Sequence, residues 1–309
     1  MNRIGKSCCV SIVGVPMALG QSRQGVDLGP NAIRYAQLQA RLEREGYAVS
    51  DYGDVPVRRV TDVVVKQSTD TQQSGRVNNL EAVIGACQSL YETLMAHRND
   101  DDVTVVLGGD HSIGIGSVAA ATKDRSTGVI WVDAHADFNT PQTSPSGNAH
   151  GMAIAALMGE GPEGLVNVGY PGTKLHPSQM VMIGIRNLDY PERERLTNSG
   201  ILVFTMVDLD EQGAGAVARQ ALTRLGHLDS IHVSLDMDSL DPDIAPGVGT
   251  PVRGGLTYRE AHLLMEILAA SGKLKSLDIV EVNPLLDTRN QTAELAVELA
   301  TSLLGQRII

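Results

Sequence analysis

Three side chains suited to divalent cations crowd the stretch Val132-Asp-Ala-His-Ala-Asp137, where Asp133, His135 and Asp137 stand two residues apart. They follow Gly128-Val-Ile-Trp-Val132, an apolar run with the length and β-branched content of a buried strand. If the backbone stays extended, alternate side chains face the same way, and all three aim at one point. Two carboxylates and an imidazole so placed repel one another or are desolvated at a cost unless a cation joins them. Further along, Ser230-Ile-His-Val-Ser-Leu-Asp236 is again a short apolar run ending in acid, and Asp238 repeats the two-residue spacing. A third run, Val103-Thr-Val-Val-Leu107, leads through Gly-Gly-Asp to His111. A parallel sheet gathers its ligands outside the carboxyl ends of its strands, so these three ends are expected to converge.

The candidate metal ligands are therefore His111, Asp133, His135, Asp137, Asp236 and Asp238. That is more than one tetrahedral zinc needs and suits two divalent ions with bridging carboxylates. Four carboxylates against two imidazoles form an oxygen-rich set, which favours manganese over zinc. Such a pair lowers the pKa of a bridging water and so supplies hydroxide to a hydrolytic reaction.

Other residues near these strand ends are candidates for handling a substrate. The segment Asn139-Thr-Pro-Gln-Thr-Ser144-Pro-Ser146-Gly-Asn148 is rich in amides and hydroxyls, and its prolines and glycine forbid a regular helix. Attached to the metal strand, it is suited to holding a polar, zwitterionic molecule. His150 at its end has the pKa range of a proton shuttle. Glu281 closes the strand Ser276-Leu-Asp-Ile-Val-Glu281 and offers two oxygens to a guanidinium. Asp189 and Glu192, after the strand at 180–185, are candidate partners for a substrate ammonium. Histidines 97, 176, 227, 232 and 262 lack such context and read as structural or surface residues.

The elements that must position these groups alternate along the chain. Strands are expected at 8–14, 48–52 near a sheet edge, 103–107, 128–133, 180–185, 201–205, 230–236 and 276–282. Helices are expected from Pro30 to Glu45, on the face formed by Leu80, Val83, Ile84, Cys87, Leu90, Tyr91 and Leu94, and from a Ser112 cap to Lys123. Others follow His150 and cover about 213–224, 258–270 and 291–304. The polar stretch 55–77 reads as an excursion loop. Eight strands interleaved with helices predict an α/β fold: three layers, α/β/α, around an eight-stranded, mostly parallel, doubly wound sheet. With no composition shift along the chain, residues 1–309 are expected to form a single domain.

Composition sets outer limits. Hydrophobic content of 42% and charged content of 20% are those of a soluble globular protein, and aromatics at 3% leave the core to Ala, Val, Leu and Ile. A net charge of -11 argues against a nucleic-acid partner and favours a cationic substrate. No run approaches a membrane span, and the first residues lack a long apolar core behind them, so no membrane partner is expected. Cys8, Cys9 and Cys87 have no CxxC spacing, which fits reduced thiols and a cytoplasmic setting.

Together Gly108-Gly-Asp-His-Ser112, Asp133-Ala-His-Ala-Asp137 and Ser234-Leu-Asp-Met-Asp-Ser-Leu-Asp-Pro242 resemble the ureohydrolase family, closest to its arginases of bacterial type. The similarity runs to Glu281-Val-Asn-Pro284. Ser146-Gly-Asn-Ala-His-Gly151 looks like the arginase form of the substrate loop, where agmatinases differ. The resemblance implies two Mn2+ per subunit: one on His111, Asp133, Asp137 and Asp236, the other on His135, Asp133, Asp236 and Asp238, with Asp133 and Asp236 bridging. It implies that Asn139, Ser146, Asn148 and Asp189 bind the α-carboxylate and α-amino end of L-arginine, with Ser144 at a substrate-loop position often filled by Thr; Glu192 and Thr250 are further substrate-binding candidates. Glu281 would orient the guanidinium, Asp137 would align the hydroxide and His150 would assist proton delivery. The products would be L-ornithine and urea, and the assembly a homotrimer or homohexamer.

Four alternatives compete. Agmatinase or guanidinobutyrase activity would use the same metals. Gly114-Ile-Gly-Ser-Val-Ala119 resembles a dinucleotide fingerprint, but Gly-Asp-His intervene after the strand and a nucleotide does not need the acidic cluster. Single-zinc deacetylases need neither His111 nor Asp238. A non-catalytic metal-binding protein would be expected to have lost a ligand or Glu281.

Overall fold

Among the described residues eight strands form one sheet: β1 Cys9–Val15, β2 Ala48–Asp54, β3 Val103–Gly108, β4 Thr127–Val132, β5 Met180–Ile185, β6 Leu202–Thr205, β7 Ser230–Asp236 and β8 Leu274–Val280. Their order is β2-β1-β3-β8-β7-β4-β5-β6, and every pair is parallel. The expectation was a mostly parallel sheet; it is wholly so, with the weakly apolar β2 at an edge. The computed structural model describes residues 9–58 and 75–306; Cys8, the first residues and most of the polar stretch 55–77 lie outside them.

Alternation along the strands builds two cores. Ile231, Val233 and Leu235 of β7 pack with Ile130, Val132, Leu277 and Ile279 on one face, under the helices Gly29–Tyr35, Leu38–Arg44, Ala214–Arg224, Tyr258–Ala270 and Gln291–Leu303. Val129 and Trp131 of β4 join the other core, under the helices Leu80–Ala96, Gly114–Thr122 and Ala153–Leu157. Strands covered on both faces read as continuous apolar runs, which is why they were legible. The helix Leu80–Ala96 buries Val83, Cys87, Leu90 and Leu94 at helical spacing. No helix among the described residues is long and apolar enough to cross a membrane.

Several expected elements differ. The helix expected from Pro30 to Glu45 is two helices, because Gln37 adopts a left-handed φ of 66° between them. Asp110, not Ser112, caps the turn after β3: its side chain accepts from the Ser112 amide at 3.1 Å. Among the described residues the short helix Glu163–Val166 was not anticipated, nor were two longer ones, Tyr190–Asn198 and Met206–Gln212. Each of the longer two begins with a capping box, Asp189 with Glu192 and Thr205 with Asp208, and those four-residue signatures were the available signals.

The sheet order adds a fourth strand to the three whose ends were expected to converge. β8 lies between β3 and β7, so the contiguous set β3-β8-β7-β4 faces the site and brings Glu281 into its middle.

Candidate metal centre

The strand ends do not continue extended, as the two-residue spacing suggested. They turn, and each turn is made by an aspartate. Asp133 Oδ1 accepts from the His135 amide at 2.7 Å, and Asp236 Oδ1 accepts from the Asp238 amide at 2.7 Å. Asp110 makes the same contact to Ser112 after β3. An aspartate that accepts from the amide two residues on is a side-chain mimic of a backbone turn. In the first two cases one oxygen is thereby fixed and the other is turned inward. Asp133 Oδ2 and Asp236 Oδ2 each lie 3.0 Å from His111 Nδ1, and Asp137 Oδ2 lies 3.2 Å from it. The convergence expected of these residues is present, but by turns rather than by pleating.

A second set adjoins the first. His135 Nδ1 is 3.1 Å from Asp238 Oδ2 and 3.5 Å from Asp133 Oδ1. Ligand atoms of His111, Asp133 and Asp236 all lie within 4.8 Å of one another, as do those of Asp133, His135 and Asp238. Asp133 belongs to both sets and so has the position of a bridge.

The residues fit a pair of cations. Within the first set His111 Nδ1 and Asp137 Oδ2 are buried without a hydrogen-bond partner, although carboxylate oxygens surround the nitrogen. Buried polar atoms rarely remain unpaired, so these contacts ask for a ligand at their common centre. The electrostatics agree. Burial, then the charge of Asp133, pushes Asp137 up to about 6. Burial, then Asp238 and Asp133, drives Asp236 well above the usual carboxylate range. Burial also opposes the charges on Asp133 and His135, but opposite charges override it: His111, then His135, holds Asp133 far below its ordinary value, and Asp238, then Asp133, pushes His135 up to about 12. Carboxylates this close cannot all ionise without shared protons, and a divalent ion takes the place of those protons.

Supporting groups that the sequence reading missed hold these ligands. Trp131 stacks on His111 with ring centroids 3.8 Å apart, and its Nε1 donates to Asp133 Oδ2 at 2.9 Å. Arg186 donates to the carbonyls of Asp238, Ser239, Leu240 and Val252, clamping the turn that carries Asp238. Ser234 Oγ lies 2.9 Å from His111 Nε2. A lone tryptophan beside the metal motif was the one visible signal. Arg186 had none.

Glu281 sits beside the centre at a left-handed φ of 63°, and Asp137 has a φ of 50°. Non-glycine residues in that region cost about 1–3 kcal/mol each and cluster at functional sites. Glu281 accepts from Gln21 Nε2 and the His111 amide, and its Oε1 is 3.3 Å from His150 Nδ1. Burial opposes the charge on His150, yet Glu281 outweighs it and pushes the imidazole up to about 9. The contact with Glu281 therefore favours the charged form of His150.

The polar segment behaves differently. Asn139 Nδ2 donates to Asp189 Oδ2, while its Oδ1 accepts from Thr143. Ser144 Oγ accepts from Gly147, Ser146 Oγ from Asn148, and Asn148 Oδ1 from Ser22 and Asn78. Glu192 is buried, its oxygens accept from the Phe138 and Asp189 amides, and burial raises it to about 7. Thr250 likewise spends its hydroxyl on Asp238 Oδ2 at 2.9 Å. Both support neighbouring site residues.

Comparison with known proteins agrees with this geometry. The sequence pattern of the Arginase family matches residues 9–305. The arginase of Bacillus subtilis is 46% identical over 301 residues, covering 97% of this chain and 99% of that one. A Staphylococcus aureus arginase is 44% identical, covering 97% and 98% respectively. The crystal structure of the Bacillus caldovelox arginase superposes with a TM-score of 0.91 at 46% identity, covering 97% of this chain and 99% of that chain. Motifs, sheet order and full-length similarity converge: the chain belongs to the arginase family.

Proposed function

We propose that this chain hydrolyses the guanidinium group of L-arginine to L-ornithine and urea, using two Mn2+ per subunit. The observation that carries the reading is the pair of overlapping ligand sets joined at Asp133. His111, Asp137 and Asp236 would complete one site and His135 and Asp238 the other, with Asp236 as the second bridge. When bound, the two cations supply a nucleophile from water at neutral pH and stabilise the negative charge that develops on attack.

The chain's own groups then have distinct tasks. Asp137 turns Oδ2 toward the first cation site, and its other carboxylate oxygen accepts a hydrogen bond from the attacking group and aligns it. Glu281, held below the usual carboxylate range by His150 against the effect of burial, stays ionised and faces the guanidinium. His150 carries a proton 3.3 Å from Glu281 and delivers it to the departing amine. Asn139, Ser144, Ser146, Asn148 and Asp189 present the polar rim that receives the α-amino and α-carboxylate groups. Glu192 and Thr250 hold that rim and Asp238 in place.

The reading extends to a single domain over residues 1–309, working as a homotrimer or homohexamer in the cytoplasm. The family resemblance supports the assembly, and the buried free thiol of Cys87 fits a reducing compartment.

The test is urea release from L-arginine, agmatine and guanidinobutyrate side by side with manganese added. L-Arginine should be turned over fastest. Faster turnover of either analogue replaces the substrate, and no urea from any of the three overturns the hydrolase.

A further inference from the structure

His232 is fully buried on β7, outside the metal set, and the reaction proposed above does not use it. Its Nδ1 lies 2.7 Å from Ser276 Oγ and its Nε2 lies 3.1 Å from Asp278 Oδ2. The same Asp278 oxygen accepts from Ser117 Oγ at 2.5 Å and from Ser234 Oγ at 3.4 Å. Ser234 in turn meets His111 Nε2 at 2.9 Å. The register of the sheet makes this chain of contacts possible, because His232 is paired with Ser276 and Ser234 with Asp278 across β7 and β8. All four therefore lie on one face, beside the helix that carries Ser117.

The contacts have a direction. A carboxylate oxygen ringed by three donors accepts from each of them. Ser234 thus gives its only proton to Asp278 and has lone pairs left for His111. His111 must then donate from Nε2, which leaves Nδ1 with a lone pair. That nitrogen faces the inward oxygens of Asp133, Asp137 and Asp236. A lone pair among three carboxylates is unfavourable without a cation and favourable with one. The tautomer of a ligating histidine is set by the bond its other nitrogen makes.

We infer that Ser234, Asp278 and His232 form a positioning relay that locks His111 in the tautomer needed to hold one of the two cations. The inference rests on the two-metal reading and adds that the two sites differ. The His111 site depends on a buried relay within the sheet. The His135 site, with 24% of its histidine side chain exposed, has no contact with it.

Manganese titration of the metal-free full-length chain tests this, with free ion followed by electron paramagnetic resonance. The parent should bind two ions and show the spectrum of a coupled pair. Ser234→Ala should keep one site near parental affinity and weaken the other roughly ten- to hundredfold. At stoichiometric metal it should give an isolated-ion hyperfine spectrum in place of the coupled one. Asp278→Asn should do the same, and Ser234→Ala carries the test if burying an amide at 278 prevents folding. Circular dichroism of the metal-free variants should match the parent. Two ions bound at parental affinity by Ser234→Ala, or both sites weakened equally, overturns the relay while leaving the two-metal reading intact. A parent that binds no manganese overturns that reading itself.

Discussion

The ligand cluster and the polar loop 139–148 both join the end of β4, and both are dense in groups that bind small molecules. They differ in how far those groups are already satisfied. In the cluster, His111 Nδ1 and Asp137 Oδ2 are buried without hydrogen-bond partners, and neighbouring carboxyls are driven apart in pKa. In the loop, Asn139, Ser144, Ser146 and Asn148 all have protein partners. Unmet bonding capacity under burial marks where a ligand is obligatory. Satisfied polar groups at a rim mark where a ligand exchanges one hydrogen bond for another at modest gain. Substitutions in the cluster should therefore abolish function, whereas single changes in the loop should tune it.

The strongest attempt to break that contrast is at Asp133, the residue common to both ligand sets. Asp133→Ala removes the shared carboxylate, the turn bond to His135 and the acceptor of Trp131 Nε1. Manganese content should fall and urea production from arginine should drop by on the order of a thousandfold or more. Metal analysis alongside a urea assay checks both. Parental turnover with full metal content would show that the cluster is not where the chemistry resides.

A smaller effect is expected where cluster and loop meet, at the His150–Glu281 pair. The folded imidazole is raised to about 9 from an ordinary 6.5, against its own burial, by Glu281. A raised base contributes stability that is fully present below the unfolded value and lost as pH climbs through the folded one. The metal-free parent should exceed His150→Asn in unfolding free energy by on the order of 3 kcal/mol at pH 6. That margin should close between about 6.5 and 9 and stay closed above it. Urea unfolding at pH 6, 7.5 and 10 measures it. A margin that does not change with pH would mean that the contact is packing rather than charge.

How much of this was legible follows from the same distinction. Charged ligands at strand ends announce themselves, because carboxylates and imidazoles seldom accompany a buried apolar run without cause. The positions of the inner strands were readable for a related reason: both faces are covered, so each of them is an apolar block, while the edge strand β2 is only weakly so. The reason given for convergence was less sound. Spacing of two was read as pleating, whereas Asp133 and Asp236 turn the chain with one oxygen and offer the other. Both routes yield D-x-H and D-x-D, so sequence could not separate them. Arg186, Ser234, Asp278 and His232 were illegible because their partners are backbone carbonyls or residues on another strand, fixed only once β8 is known to lie beside β7. The capping role of Glu192 was overlooked for the converse reason: its four-residue signature was present but was outweighed by its charge.

Ser146 offers the finest discrimination. Its hydroxyl is exposed, accepts from the Asn148 amide at 3.2 Å and faces Ser144 Oγ at 3.4 Å. Losing one exposed hydrogen bond costs about 1 kcal/mol or less, so Ser146→Ala should unfold within a few degrees of the parent. If the hydroxyl also holds the amino-acid end of the substrate, that contact is equally present in the ground state and the transition state. Its removal then raises KM, by about tenfold at most, and leaves kcat unchanged. Glu281 and Asp137, proposed to act at the reacting end, would instead register in kcat. Steady-state kinetics with arginine resolve the split. A fall in kcat at unchanged KM would place Ser146 among the reacting groups and erase the boundary between rim and cluster at this position.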